Sequence, residues 1–199
     1  MSKSRIVPRF YIIHCTATPA GRELDRNDIL KMHIGPAPLG AGRVRYKGKT
    51  YASRQVLPKE EIGGVPVFKL TGRGWRVPGY RQMINLKGEV VTIVTDNGDG
   101  FLDPWEVTNG VAGINNTAIH DVYVGGVDAN NVRNARDTRT PAQKEAMKLE
   151  TLEMIKRFPN ILIGGHYHFA AKACPSFNVE KWLEEIGVPE RNILRKEKI

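Results

Sequence analysis

Two short segments, far apart in the chain, carry the residue types that bind and activate a metal. One is Gly164-Gly165-His166-Tyr167-His168-Phe169-Ala170-Ala171-Lys172-Ala173-Cys174-Pro175-Ser176-Phe177, and the other is Ile13-His14-Cys15-Thr16-Ala17-Thr18. Each has a histidine at the end of an apolar run, and the first adds a cysteine directly before a proline. Two imidazoles and one thiolate make the three-ligand set of a catalytic zinc, whose fourth position is left to water. The chemistry implied is metal-assisted hydrolysis, with zinc as cofactor and His14, a histidine of the His166-Tyr167-His168 stretch and Cys174 as its candidate ligands. His168 competes with His166, because residues two apart in an extended segment point the same way. A disulfide between Cys15 and Cys174 is the other use of these cysteines, although two cysteines beside histidine motifs do not make a disulfide framework.

Positions 14, 166 and 174 need a scaffold that brings them together. Residues 9–15 read as a central strand, an apolar run buried on both faces, with Phe10, Ile12 and His14 on one face and Tyr11, Ile13 and Cys15 on the other. Asp25 or Asn27 caps a short helix that stops at Gly35-Pro36 and ends with His33, which reads as structural. Residues 80–86 and 89–94 form a hairpin around Lys87-Gly88, and residues 119–125 form another strand. Thr140-Pro141-Ala142-Gln143 opens the strongest helix, with Ala142, Ala146, Leu149, Leu152 and Ile155 as its buried stripe. A short strand, 161–165, delivers His166, and Asn178 caps a last helix. The alternation predicts an α/β (α+β) fold, a central mixed β-sheet flanked by helices. The expectation is a single domain over residues 1–199, with an inserted segment at 35–74 and a turn-helix loop at 95–110.

Thirty Lys and Arg against twenty-one Asp and Glu leave a net charge of +9, which favours an anionic or polymeric partner. Basic and aromatic residues do not interleave as in RNA-binding modules, which argues against nucleic acid. No apolar run approaches the roughly 20 residues that span a bilayer, so no membrane insertion is expected. The basic start lacks an apolar h-region, so a signal peptide is not expected either.

At the residues quoted above the chain resembles the zinc-dependent N-acetylmuramoyl-L-alanine amidases of the bacteriophage lysozyme and peptidoglycan recognition protein family. The resemblance rests also on Gly79-Tyr80, on Asn109-Gly110 through Gly125-Gly126, and on Thr140-Pro141-Ala142-Gln143. It implies a peptidoglycan-recognition-protein-like fold, His14, His166 and Cys174 around zinc, and peptidoglycan as substrate. Lys172 would stabilise the developing oxyanion, and Tyr80 would contact the attacking water or the substrate carbonyl. A phage endolysin held in the host cytoplasm and acting on the wall after release is the favoured setting, an effector carried by a dedicated secretion machine is the other, and a monomer is the default. A non-catalytic peptidoglycan-binding module and a polymerase-binding regulator are the rivals. Three positions bear on the substrate cleft. Arg81 stands where the family often has histidine and Asn115 at the family's usual asparagine, while His120 stands where the family more often has glycine and reads equally as a cleft residue, a core residue or a support behind the metal ligands.

Residues 95–106 can also be laid over a calcium loop, with Asn97, Asp99, Asp103 and Glu106 as ligands. The first position is Thr95 rather than aspartate. Asp103-Pro104-Trp105-Glu106 also reads as a helix N-cap, with a short helix to follow.

Overall fold

The structure is a computed structural model and describes residues 5–52, 61–62, 65–66 and 72–199. In chain order its first elements are β1 (Phe10–Cys15), β2 (Thr18–Pro19), α1 (Arg26–Ile34), β3 (Ala37–Gly40), β4 (Arg43–Tyr46), β5 (Lys49–Ala52), β6 (Glu61–Ile62) and β7 (Val65–Pro66). There follow β8 (Gln82–Ile84), β9 (Val90–Thr92), β10 (Ala118–Tyr123), β11 (Gly126–Val127), α2 (Pro141–Arg157), β12 (Leu162–Gly165) and α3 (Val179–Glu185). They fall into two compact units, residues 1–23 with 80–199, and residues 24–79.

The larger unit is built on a five-stranded sheet in the order β12-β1-β10-β8-β9. Its strands run parallel except at the β8–β9 hairpin, so the sheet is mixed. Every residue of β1 and of β10 is buried, which is why both read as nearly unbroken apolar runs. Side-chain alternation splits them into two layers. Tyr11, Ile13, Cys15, Ile119 and Tyr123 pack under α2 and α3 against Met147, Met154, Trp182 and Leu183. Phe10, Ile12 and Ala118 pack on the other face with Val111 and Leu194. His14 belongs to this second face.

Helix α2 starts where expected, with Thr140 and Gln143 completing a reciprocal capping box and Pro141 in the first turn. Its buried face differs from the apolar stripe. Gln143, Met147, Thr151 and Met154 are buried, Ala146 and Ile155 flank them, and Leu149 and Leu152 are 58% and 39% exposed. Gln143 sets this rotation: its Nε2 donates to the carbonyls of Ile84 (3.2 Å) and Val124 (2.9 Å) at the ends of β8 and β10. Ile84 O already accepts from the Val124 N–H at 3.0 Å, so Gln143 adds a second bond there and supplies one to Val124 O, and these buried bonds outweigh the burial of two leucines.

The short helix expected after Asp103 is a single turn at residues 104–106. Glu106 accepts from the backbone N–H of Asp103 (2.9 Å), the return contact of a capping box, and also from that of Asn97 (2.8 Å).

In the smaller unit, Asp25 and Asp28 form the capping box of α1. Strands β3, β4 and β5 make an antiparallel meander with Val44 and Tyr46 buried. His33 accepts a hydrogen bond from the Gly79 N–H at 3.1 Å and stacks on Trp75. Burial, together with the nearby Arg73, lowers its pKa to about 4. It is a packed, neutral imidazole, as its place at a helix end suggested.

Candidate metal centre

The carboxyl ends of β1 and β12 lie side by side in parallel register, with Ile13 opposite Gly165. His14 therefore ends one strand beside the point where the next chain segment leaves the other. That segment is a tight 3-10 turn, His166–His168, followed by a loop that returns Cys174 to the same place. The loop is tied down at several points. Tyr167 N–H donates to Cys174 O (3.0 Å), Tyr123 Oη donates to Pro175 O (2.7 Å), and the Val179 N–H donates to Tyr167 Oη (3.0 Å).

One ligand atom each of His14, His166 and Cys174 lies within 4.8 Å of the others, and no other such His, Cys, Asp or Glu group occurs among the described residues. His14 Nδ1 is 3.8 Å from Cys174 Sγ. Ligand atoms around a tetrahedral zinc stand about 3.5 Å apart, so the pair is already close to ligating distance. The donor set fits that metal: two imidazoles and one sulfur, with the fourth position free for water.

The protonation state of His166 suits the same use, whereas the Cys174 thiol has to give up its proton to ligate. Burial foremost, then the Lys172 charge, lowers the pKa of His166 to about 4, so its ring is neutral at pH 7. As a thiol, Cys174 is pushed up, first by the Cys15 side chain and then by burial, while the Cys15 N–H and Lys172 act in the opposite sense. The Cys15 N–H donates to Cys174 Sγ at 3.3 Å. Both cysteines are free, which removes the disulfide alternative. Lys172 is exposed, and its charge is felt by both His166 and Cys174. The Tyr80 ring lies 5.1 Å from the His14 ring, centroid to centroid.

The competing histidine points elsewhere. His168 Nδ1 lies 3.1 Å from the Gly165 N–H, and its Nε2 lies 2.9 Å from Glu180 Oε1. An extended segment would have sent His166 and His168 the same way, whereas the 3-10 turn separates them.

The three positions set at the cleft take these places, with His120 in a buried one of its readings. Arg81 is 7% exposed and lies on the helix-covered face of the sheet. Its guanidinium binds Asp121 through Nε (3.3 Å) and Nη2 (3.0 Å) and reaches Asp96 (3.3 Å). Tyr80 faces the metal cluster, and one step along the chain Arg81 faces away. His120 is fully buried rather than exposed to a cleft, with Nδ1 3.1 Å from His14 Nε2. Burial first, and His166 second, lowers its pKa to about 3. Asn115 staples its own loop, accepting from the Val111 N–H and donating to Asn109 Oδ1. Of the calcium-loop residues, Glu106 caps backbone as above, Asn97 Nδ2 donates to Asp103, and Asp99 accepts from the Phe101 N–H. These groups serve the turn itself.

The specific His14–His120 contact and the Asp121 partnership of Arg81 were not named in the sequence reading, which left His120 open to a core or metal-supporting place as well as to the cleft. The signal for the first was parity, since His14 and His120 each sit on the even face of their strand, but the β1–β10 register was needed to bring them together.

No family model matches the chain. It is 31% identical over 113 residues to the endolysin of Klebsiella phage KP32, an overlap covering 57% of this chain and 68% of that protein. Among solved structures it is similar to the N-acetylmuramoyl-L-alanine amidase LysC from Clostridium intestinale, with a TM-score of 0.54 and 16% identity, covering 92% of this chain and 88% of LysC. Drosophila PGRP-LB is matched with a TM-score of 0.53 and 17% identity over 97% of this chain and 88% of the other. At such low identity these likenesses establish the fold, which is that of the peptidoglycan-recognition amidases.

Proposed function

We propose that this chain, which belongs to the phage endolysin family, is a zinc-dependent N-acetylmuramoyl-L-alanine amidase that cuts the amide between the lactyl group of N-acetylmuramic acid and L-alanine in peptidoglycan. The observation that carries the reading is the convergence of His14, His166 and Cys174 from three separate chain positions onto one point. A structural histidine or cysteine has no need of such company. Zinc held there would act as a Lewis acid and lower the pKa of a water at its open position toward roughly 7.

The remaining work falls to side chains. Tyr80, beside His14, is placed to orient the attacking water or the scissile carbonyl. Lys172 presents a fixed positive charge to the oxygen on which negative charge develops, which is electrostatic stabilisation of the tetrahedral species. Neutral His166 keeps its lone pair available as a ligand. The +9 net charge favours retention on anionic envelope polymers and should make binding weaken with salt. Among the described residues no helix is long and apolar enough to cross a membrane. Action on the wall after release from the host cytoplasm is the setting we assign.

Digestion of purified peptidoglycan with and without a zinc chelator tests this. New L-alanine amino termini without new sugar reducing ends, lost on chelation and lost in Cys174→Ala, are expected. Binding to peptidoglycan with no release even in added zinc would instead indicate a recognition module.

A further inference from the structure

We propose that His120 is a positioning residue for the metal centre, selecting the tautomer of His14 that can ligate. This rests on the reading of His14 as a ligand. His14 presents Nδ1 to Cys174 Sγ at 3.8 Å, so Nδ1 is the ligating nitrogen and must carry no proton. The ring proton then sits on Nε2, which lies 3.1 Å from His120 Nδ1. His14 therefore donates, His120 Nδ1 accepts, and the His120 proton is placed on its own Nε2. With both rings buried, water does not compete for that bond, at 1% and 0% exposure. A metal-bound imidazole held through its other nitrogen has a fixed orientation and greater basicity.

Two features show that the protein makes room for this ring rather than merely tolerating it. A Cβ on Gly110 would lie 2.4 Å from His120 Cγ and 2.5 Å from Nδ1, so the loop over the sheet must carry glycine where it crosses the imidazole. Furthermore, His120 Nε2 is buried and has no hydrogen-bond partner among the described residues. A buried donor without a partner lowers stability, so an apolar residue would serve a purely structural purpose better.

The test is the zinc affinity of the purified protein, measured by competition with a chromophoric chelator, alongside thermal unfolding of the chelator-treated protein. Three forms are compared: the parent, His120→Leu, and His120→Asn, whose Oδ1 can take the place of Nδ1 as acceptor. We expect His120→Leu to weaken zinc binding about 10- to 100-fold, with a melting temperature in chelator equal to or above the parent's. His120→Asn should recover part of the affinity. Unchanged affinity in His120→Leu, no recovery in His120→Asn, or an affinity loss that accompanies a lowered melting temperature would overturn the proposal. A parent that binds no zinc would refute the metal reading itself, which separates the two failures.

Discussion

Replacing Arg81 tests whether sheet parity has been read correctly. Arg81 and Asp121 are 8% and 4% exposed at the side chain and meet at 3.0 Å. At that distance and an effective dielectric of about 20, two unit charges attract by about 5 kcal/mol. Much of this offsets the cost of taking both from water, so the pair's net worth is far smaller. Removing only the arginine is different, because it leaves a carboxylate buried without its counter-charge. Arg81→Met should therefore lower stability by about 3–5 kcal/mol, which for a chain of this size is a fall in melting temperature on the order of 10 °C. Tyr11 Oη and the Gln82 N–H would still donate to Asp121, which favours the lower end of that range. In Arg81→Met/Asp121→Asn the buried charge is gone, and most of the loss should be recovered. The deficit of the single variant should also shrink on acidification, since a protonated carboxyl has no charge to bury. Thermal unfolding of both variants, together with turnover of peptidoglycan at a temperature where all forms are folded, is the assay. Turnover should match the parent's. A normal melting temperature with a large loss of activity would mean that Arg81 faces substrate and that the layer assignment is wrong.

Lys172→Met should reduce kcat by about 10²–10³-fold with little change in KM, because the charge acts on the developing oxyanion; steady-state kinetics on soluble muropeptide checks this, and a change confined to KM would refute it. Met147→Ala should destabilise by about 2–5 kcal/mol, whereas Leu149→Glu should stay within about 0.5 kcal/mol of the parent; denaturant melts of both decide which face of α2 is buried. His33, at about 4 when folded and roughly 6.5 when unfolded, adds stability that is present in full above the unfolded value and lost as pH falls toward the folded one. The amount is on the order of 3 kcal/mol, and a folded-state NMR titration midpoint near 6.5 for His33 would contradict it.

Much of this protein was legible from residue types and local order alone. A candidate metal set of two imidazoles and one thiolate could be read because these groups have few uses together, with His166 and His168 level on spacing, and the strands that carry them because burial on both faces writes an unbroken apolar run. The caps of α1, α2 and α3 were legible for the same reason: a side chain satisfying the first backbone donors acts within three or four residues. What the chain order left open were choices made between distant residues. Whether His166 or His168 serves the cluster depended on a 3-10 turn and on Glu180 waiting across from His168. The face of α2 was chosen by two carbonyls on β8 and β10, against the apolar pattern of the helix. Arg81 and His120 were placed on opposite faces of the sheet, one against Asp121 and one against His14, by strand parity and register. Local interactions are written in neighbouring residues, whereas the satisfaction of a buried polar group depends on whichever distant atom the fold brings to it.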